Sequence, residues 1–153
     1  MGRRIIATGC DHAAFVLKET LKKHLQKQGY EVKDFGTFSD ESVDYPDIIH
    51  PLAKEINDGK IERGIVLCGS GIGVSMVANK YPNVRCALCW TFELAKLCRQ
   101  HNDANVLALG ARFISEKEAI EITDAFLNTP FEGGRHQRRV EKIALPATHP
   151  DFG

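Results

Sequence analysis

The chain has 153 residues, 43% hydrophobic and 26% charged, which suits one compact domain whose core needs no disulfide or metal staple. Its 20 Lys and Arg balance 20 Asp and Glu, so no overall field draws it to nucleic acid or anionic lipid, and basic chemistry must be local. The apolar run near the start is too short for a signal peptide or a membrane span. Five cysteines without secretory context read as reduced thiols in a cytoplasmic protein.

Strand and helix patterns alternate along the chain. Residues 4–9 form a short apolar run ending in Gly9. Ala14, Leu17, Leu21 and Leu25 then recur at helical spacing, with Lys18, Glu19 and Lys22 on the other faces and Gly29 as the stop. Residues 30–35 read as a strand, and Pro46 suits the first turn of a helix carrying Ile49, Leu52, Ala53 and Ile56 inward until Asp58-Gly59. Residues 64–68, nearly all apolar, predict a strand buried on both faces of a parallel sheet. They run into Gly69-Ser70-Gly71-Ile72-Gly73 and a helix through Asn79. Residues 84–90 predict a fourth strand, and Thr91 caps a helix ending near His101. Residues 105–109 predict a fifth strand. Ser115 and Glu118 form a capping box for a helix reaching Asn128, and Pro130, Gly133 and Gly134 lead to a basic segment from Arg135 to Lys142.

Five strand-then-helix units predict a doubly wound, Rossmann-like α/β sandwich of three layers around a five-stranded parallel sheet. It spans residues 1–153 as one domain, with a short polar tail from about 144. Ligands bind such folds at the carboxyl ends of the strands. The residues to weigh there are Cys10-Asp11-His12, the stretch around Tyr45, Cys68 to Gly73, and Arg112.

Gly69, Gly71 and Gly73 let the backbone approach a ligand and turn several N–H groups into one concavity at a helix start, where an anion or developing oxyanion is stabilised. A dinucleotide loop fits less well, because Val74 stands where GxGxxG requires its third glycine. A thiol directly before such a loop is placed to serve as a thiolate, so Cys68 is a candidate base or nucleophile; a buried structural cysteine is the plain alternative. Cys86 and Cys89 have CxxC spacing within a strand, so they face opposite sides, and no second pair completes a zinc site. His12 and His101 stand at element ends. Arg135 and Arg139, four apart on a helical turn, can grip phosphate together or form a solvated basic face.

The segments Gly9-Cys10-Asp11-His12, Val43-Asp44-Tyr45-Pro46-Asp47, Cys68 to Gly73, Arg99 to Asn105 and Glu132-Gly133-Gly134-Arg135-His136 together resemble the type B ribose-5-phosphate isomerases. That family is shared with galactose-6-phosphate and allose-6-phosphate isomerases, and the resemblance runs to about Ile143. It implies interconversion of ribose 5-phosphate and ribulose 5-phosphate through a cis-enediolate, with neither metal nor organic cofactor. Cys68 would move the proton between C2 and C1, and His101 would help open the furanose ring. Asp11 and Ser70 would engage ring oxygen or hydroxyls, and the N–H groups of Gly71, Ile72 and Gly73, next to Gly69, would hold the enediolate oxygen. His12, Arg112, Arg135 and Arg139 would bind phosphate, and Tyr45 and Asn102 the sugar. The resemblance also implies a homodimer or tetramer with shared sites, the neighbour supplying His101, Asn102 and Arg112. Some members use a glutamate a few residues further on; Ile72-Gly73-Val74-Ser75 holds no acid here, which favours Cys68. The rival readings are a hexose-6-phosphate isomerase of the same family and a non-catalytic sugar-phosphate-binding module.

Overall fold

The computed structural model describes residues 4–145, so most of the tail expected from about 144 lies outside the described residues. Five parallel strands, β1 (Ile5–Cys10), β2 (Glu31–Asp34), β3 (Arg63–Cys68), β4 (Cys86–Leu88) and β5 (Val106–Gly110), pair in the order β2-β1-β3-β5-β4. The helices are α1 (Phe15–Lys27), α2 (Tyr45–Asn57), α3 (Ile72–Ala78), α4 (Phe92–Gln100), α5 (Glu116–Asn128) and α6 (Arg135–Glu141), with a 3-10 turn at His12–Ala14. The expected three-layer sandwich is present. Leu21 and Leu25 of α1, Ala95 and Cys98 of α4, and Ile122 and Phe126 of α5 pack on one sheet face. Ile49, Leu52 and Ile56 of α2 and Val74 and Ala78 of α3 cover the other.

Strands β3 and β5 are buried because helices cover both faces, which accounts for their unbroken apolar runs. Chain direction reverses at β1 and β3: α1 leads from β1 outward to β2, while α3 leads from β3 the other way to β4. Loops leaving two adjacent strands in opposite directions open a crevice between them, and the Cys10 and Cys68 loops meet there. Helix starts follow the sequence rules. Thr91 accepts the Leu94 N–H, and Ser115 with Glu118 makes both bonds of the capping box.

Two expectations need correction. The fourth strand is three residues long, against seven expected. As an edge strand β4 has β5 on one side only, and on the other the Asn79 amide takes the place of a strand, accepting the Cys86 N–H and donating to its carbonyl. Lys18, expected on an outer face of α1, is fully buried: its ammonium sits 2.6 Å from Asp34 Oδ1 and donates to the Thr37 carbonyl at 2.7 Å. The four-carbon stem of lysine covers apolar surface while its charge finds partners at the end of β2. Cys86 and Cys89 do face opposite sides, one packed among the α2/α3 layer and the other in the α1/α4/α5 core.

Candidate active site

Ten of the expected site residues come together at the carboxyl edge of the sheet. The Asp11 N–H donates to the Leu67 carbonyl at 3.2 Å, which ties the loop after β1 to the end of β3. Asp11 Oδ1 accepts the N–H groups of Ala13 and Ala14, capping the 3-10 turn and fixing the carboxylate at its head. The turn places His12, whose Nδ1 accepts the Val43 N–H at 3.2 Å. With Nδ1 engaged by the backbone, Nε2 is the ring nitrogen left to meet a ligand.

Cys68 ends β3, only 5% exposed, opposite Gly110 of β5. The chain then reverses through Gly71, whose φ of +78° lies in the left-handed region that glycine adopts without strain. This turn aims the Gly71 N–H at Cys68 Sγ, 3.2 Å away. Ile72 N–H donates to Ser70 Oγ at 3.2 Å. Of the three amides expected to face an oxyanion, Gly73's is the one without an acceptor among the described residues, as the first turn of a helix leaves it.

Two further residues close around this loop. A Cβ at Gly73 would come within 2.5 Å of the Tyr45 ring, so the phenol of the α2 start lies directly on the first turn of α3. Arg112 donates its N–H to the Gly69 carbonyl at 3.0 Å, and its guanidinium lies 3.2 Å from where a Gly69 Cβ would stand. Arg112 is therefore placed with Cys68 in its own chain, apart from His101 and Asn102. Gly110 was not singled out from sequence. A Cβ there would meet the Ser70 carbonyl at 2.5 Å, so the loop can cross the end of β5 only because Gly110 has no side chain. The signal available was a glycine closing an apolar strand, which is too common to read alone.

The remaining expected residues stand at the opposite edge. Helix α4 starts at Thr91, beyond the carboxyl end of β4, and runs back antiparallel to the strands for nine residues, about 14 Å. His101 follows its last turn, near where Asn105 leads into the amino end of β5. Glu132 N–H donates to the Gln100 carbonyl, docking the start of α6 against this corner. There His101, Asn102, Arg135 and Arg139 line a cavity of about 400 Å³, and the His101 and His136 rings stack with centroids 4.3 Å apart. The guanidiniums of Arg135 and Arg139 thus do share one side of their helix, as their spacing predicts. Within one chain, however, a strand length separates them and His101 from Cys68.

Cys10, Cys86 and Cys89 suit structural roles. Burial pushes the Cys10 thiol up to about 12, and burial likewise raises Cys86. Cys89 is raised by its hydrogen bond with Cys98 and by burial.

The profile of the family described as ribose/galactose isomerase matches residues 6–143. Ribose-5-phosphate isomerase B of Escherichia coli is 46% identical over 138 residues, covering 90% of this chain and 93% of that protein. D-erythrulose-4-phosphate isomerase of Pectobacterium atrosepticum is 46% identical over 139 residues, covering 90% and 91%. The crystal structure of ribose-5-phosphate isomerase B from Mycoplasma genitalium with bound ribulose-5-phosphate is 42% identical, covers 91% of this chain and 93% of that one, and superposes with a TM-score of 0.87. The chain therefore belongs to the ribose/galactose isomerase family, and with it to the aldose–ketose isomerases.

Proposed function

We propose that this chain interconverts ribose 5-phosphate and ribulose 5-phosphate, with Cys68 as the base and a second copy of the chain completing each site. The observation that carries the reading is the Gly71 N–H aimed at Cys68 Sγ, beside the open amide of Gly73. His101 donates a proton to the ring oxygen as the anomeric hydroxyl gives its own to solvent water, which yields the open-chain aldose. Cys68 Sγ then takes the C2 proton. The C2–H electron pair moves into the C1–C2 bond, and the carbonyl pair moves onto O1, where the Gly73 N–H meets the negative charge. The O2 proton passes to O1, the O2 electron pair forms the C2 carbonyl, and the same sulfur returns its proton to C1. Asp11 and Ser70 hold hydroxyls, Tyr45 and Asn102 contact the sugar, and His12, Arg112, Arg135 and Arg139 share the phosphate.

A second copy is what such a site requires. Cys68 and His101 lie at opposite edges of one sheet, whereas two α4 helices packed antiparallel across a two-fold axis would bring His101 of each copy to the Thr91 end of the other. Leu94 and Leu97 of α4 are 42% and 41% exposed, and Trp90, Phe92 and Phe113 add apolar surface at that edge. An apolar patch of this kind on a soluble domain is suited to association.

The length of the sugar is the finer question, since a relative named for a four-carbon substrate is as similar as one named for a five-carbon substrate. The test is a coupled assay comparing kcat/KM on ribose 5-phosphate, erythrose 4-phosphate and allose 6-phosphate. The five-carbon substrate is expected to lead, and a higher value for either of the others would overturn the assignment.

A further inference from the structure

We propose that His101, Glu132 and His136 form a binding site for one zinc-type divalent cation, which on binding takes the His101 imidazole out of the reaction. One ligand atom from each of the three lies within 4.8 Å of the other two. Ligand atoms around a tetrahedral zinc stand about 3.4 Å apart, as metal–ligand distances of roughly 2.0–2.1 Å require. The approach still needed is small for side chains of this exposure. His101 and Glu132 are 40% and 50% exposed, and their nearest atoms are already 3.9 Å apart.

The two imidazoles are neighbours, and turning one ring out of their stack lets both in-plane lone pairs meet a single ion. Their rings stack within 14° of parallel at 4.3 Å, and neither takes a hydrogen-bond partner among the described residues. Two histidines and one glutamate with an open fourth position are a donor set that holds zinc in enzymes. Imidazole also selects zinc, copper and nickel over magnesium and calcium. The guanidiniums of Arg135 and Arg139 line the same cavity and repel a cation, which holds the affinity below that of buried structural zinc sites. The same arginines favour an anion, so cation and sugar phosphate would compete for this corner.

The inhibitory consequence rests on the proposed role of His101, but binding of the cation does not. The full chain, stripped of metal with a chelator, is titrated with zinc chloride in a calorimeter and with cobalt(II) chloride while the visible spectrum is followed. One cation per chain is expected, with the intense visible bands of tetrahedral cobalt. Ribose 5-phosphate should weaken binding, and excess zinc should stop turnover until chelator restores it. Glu132→Gln and His136→Asn should each weaken zinc binding at least tenfold, with inhibition scored against each variant's own zinc-free activity and folding checked by circular dichroism. Cys68→Ala should bind zinc like the parent. Zinc lost in Cys68→Ala but kept in His136→Asn would locate the metal at the thiol and overturn the proposal, as would no binding at micromolar zinc. Binding through the three residues with undiminished turnover would leave the site standing and remove His101 from the reaction, so the two failures are distinguishable.

Discussion

The amide of Gly71 points at the sulfur of Cys68 from 3.2 Å, and the left-handed turn that aims it leaves no room for a Cβ beside Leu88 and Leu109. The strand that ends in Cys68 and the helix that begins at Ile72 are held in this relation by burial on both sides. Sulfur and amide are thus fixed before any substrate arrives, which is the condition under which a base and an oxyanion donor are worth most.

Cys68→Ala should therefore lower kcat by about a hundredfold to ten-thousandfold, the usual worth of a general base, and leave the circular dichroism spectrum and unfolding midpoint nearly unchanged. Cys68→Ser should be nearly as inactive, since a hydroxyl keeps the shape but is a far weaker base. Near-parental turnover in either variant would remove Cys68 from the reaction.

Arg135→Ala and Arg139→Ala should raise KM for the phosphorylated sugar by about tenfold or more and lower kcat less, as expected for groups that grip the non-reacting end. Unphosphorylated ribose should be a poor substrate for the parent and hardly sensitive to either change. Equal losses on both substrates would show that these arginines do something other than hold phosphate.

Mixing inactive chains tests the division of the site. Cys68→Ala and His101→Asn, each nearly inactive alone, are unfolded and refolded together. A mixed dimer gathers both lesions in one site and leaves the other intact. With random pairing half the dimers are mixed, so roughly a quarter of parental activity should return. No recovery, with mixed dimers demonstrated by mass spectrometry, would mean that each chain carries its own complete site.

Asp34 gives the chain an acid-sensitive point. Burial alone would raise its carboxyl, but hydrogen bonds from Lys18 and the Gly36 N–H outweigh that and hold it below the ordinary value of 3.8. The stabilisation is thus fully present above pH 3.8 and drains away as pH falls through the lower, folded value. Asp34→Asn should cost about 3–5 kcal/mol at neutral pH by stranding the buried Lys18 ammonium. The gap between parent and variant should narrow below pH 4. Urea unfolding at pH 7 and pH 3 measures both, and a gap that stays constant would show that another carboxylate sets the acid limit.

Much of this was legible in the residues, for identifiable reasons. Val66 and Leu67 announced a central strand because burial on both faces leaves no place for polar side chains. Thr91 and Ser115 announced helix starts because a hydroxyl is needed there. The Cys68 loop was legible because alternating glycines before a helix form a local pattern, although the distant Tyr45 and Leu88 are what fill the Cβ positions of Gly73 and Gly71. Lys18 was not, since helical periodicity puts it among polar neighbours, and only the distant Asp34 and Thr37 explain its burial. Gly110 was hidden for the same reason: what forbids a side chain there is the carbonyl of Ser70, forty residues earlier. The true length of β4 depends on Asn79 occupying its outer edge, a contact that no run of apolar residues encodes. The stack of His136 on His101 likewise joins two segments that sequence order keeps apart.

The return of α4 across the full height of the sheet has a kinetic consequence. A chain that folds with Cys68 at one edge and His101 at the other is a finished structure and, by the proposed reaction, half a catalyst. Turnover per chain would then follow the law of mass action, falling on dilution below the dissociation constant of the pair while the fold of each chain persists. Substrate, which touches both copies, would oppose that loss, so an enzyme diluted in its presence should keep activity that the same enzyme diluted alone surrenders.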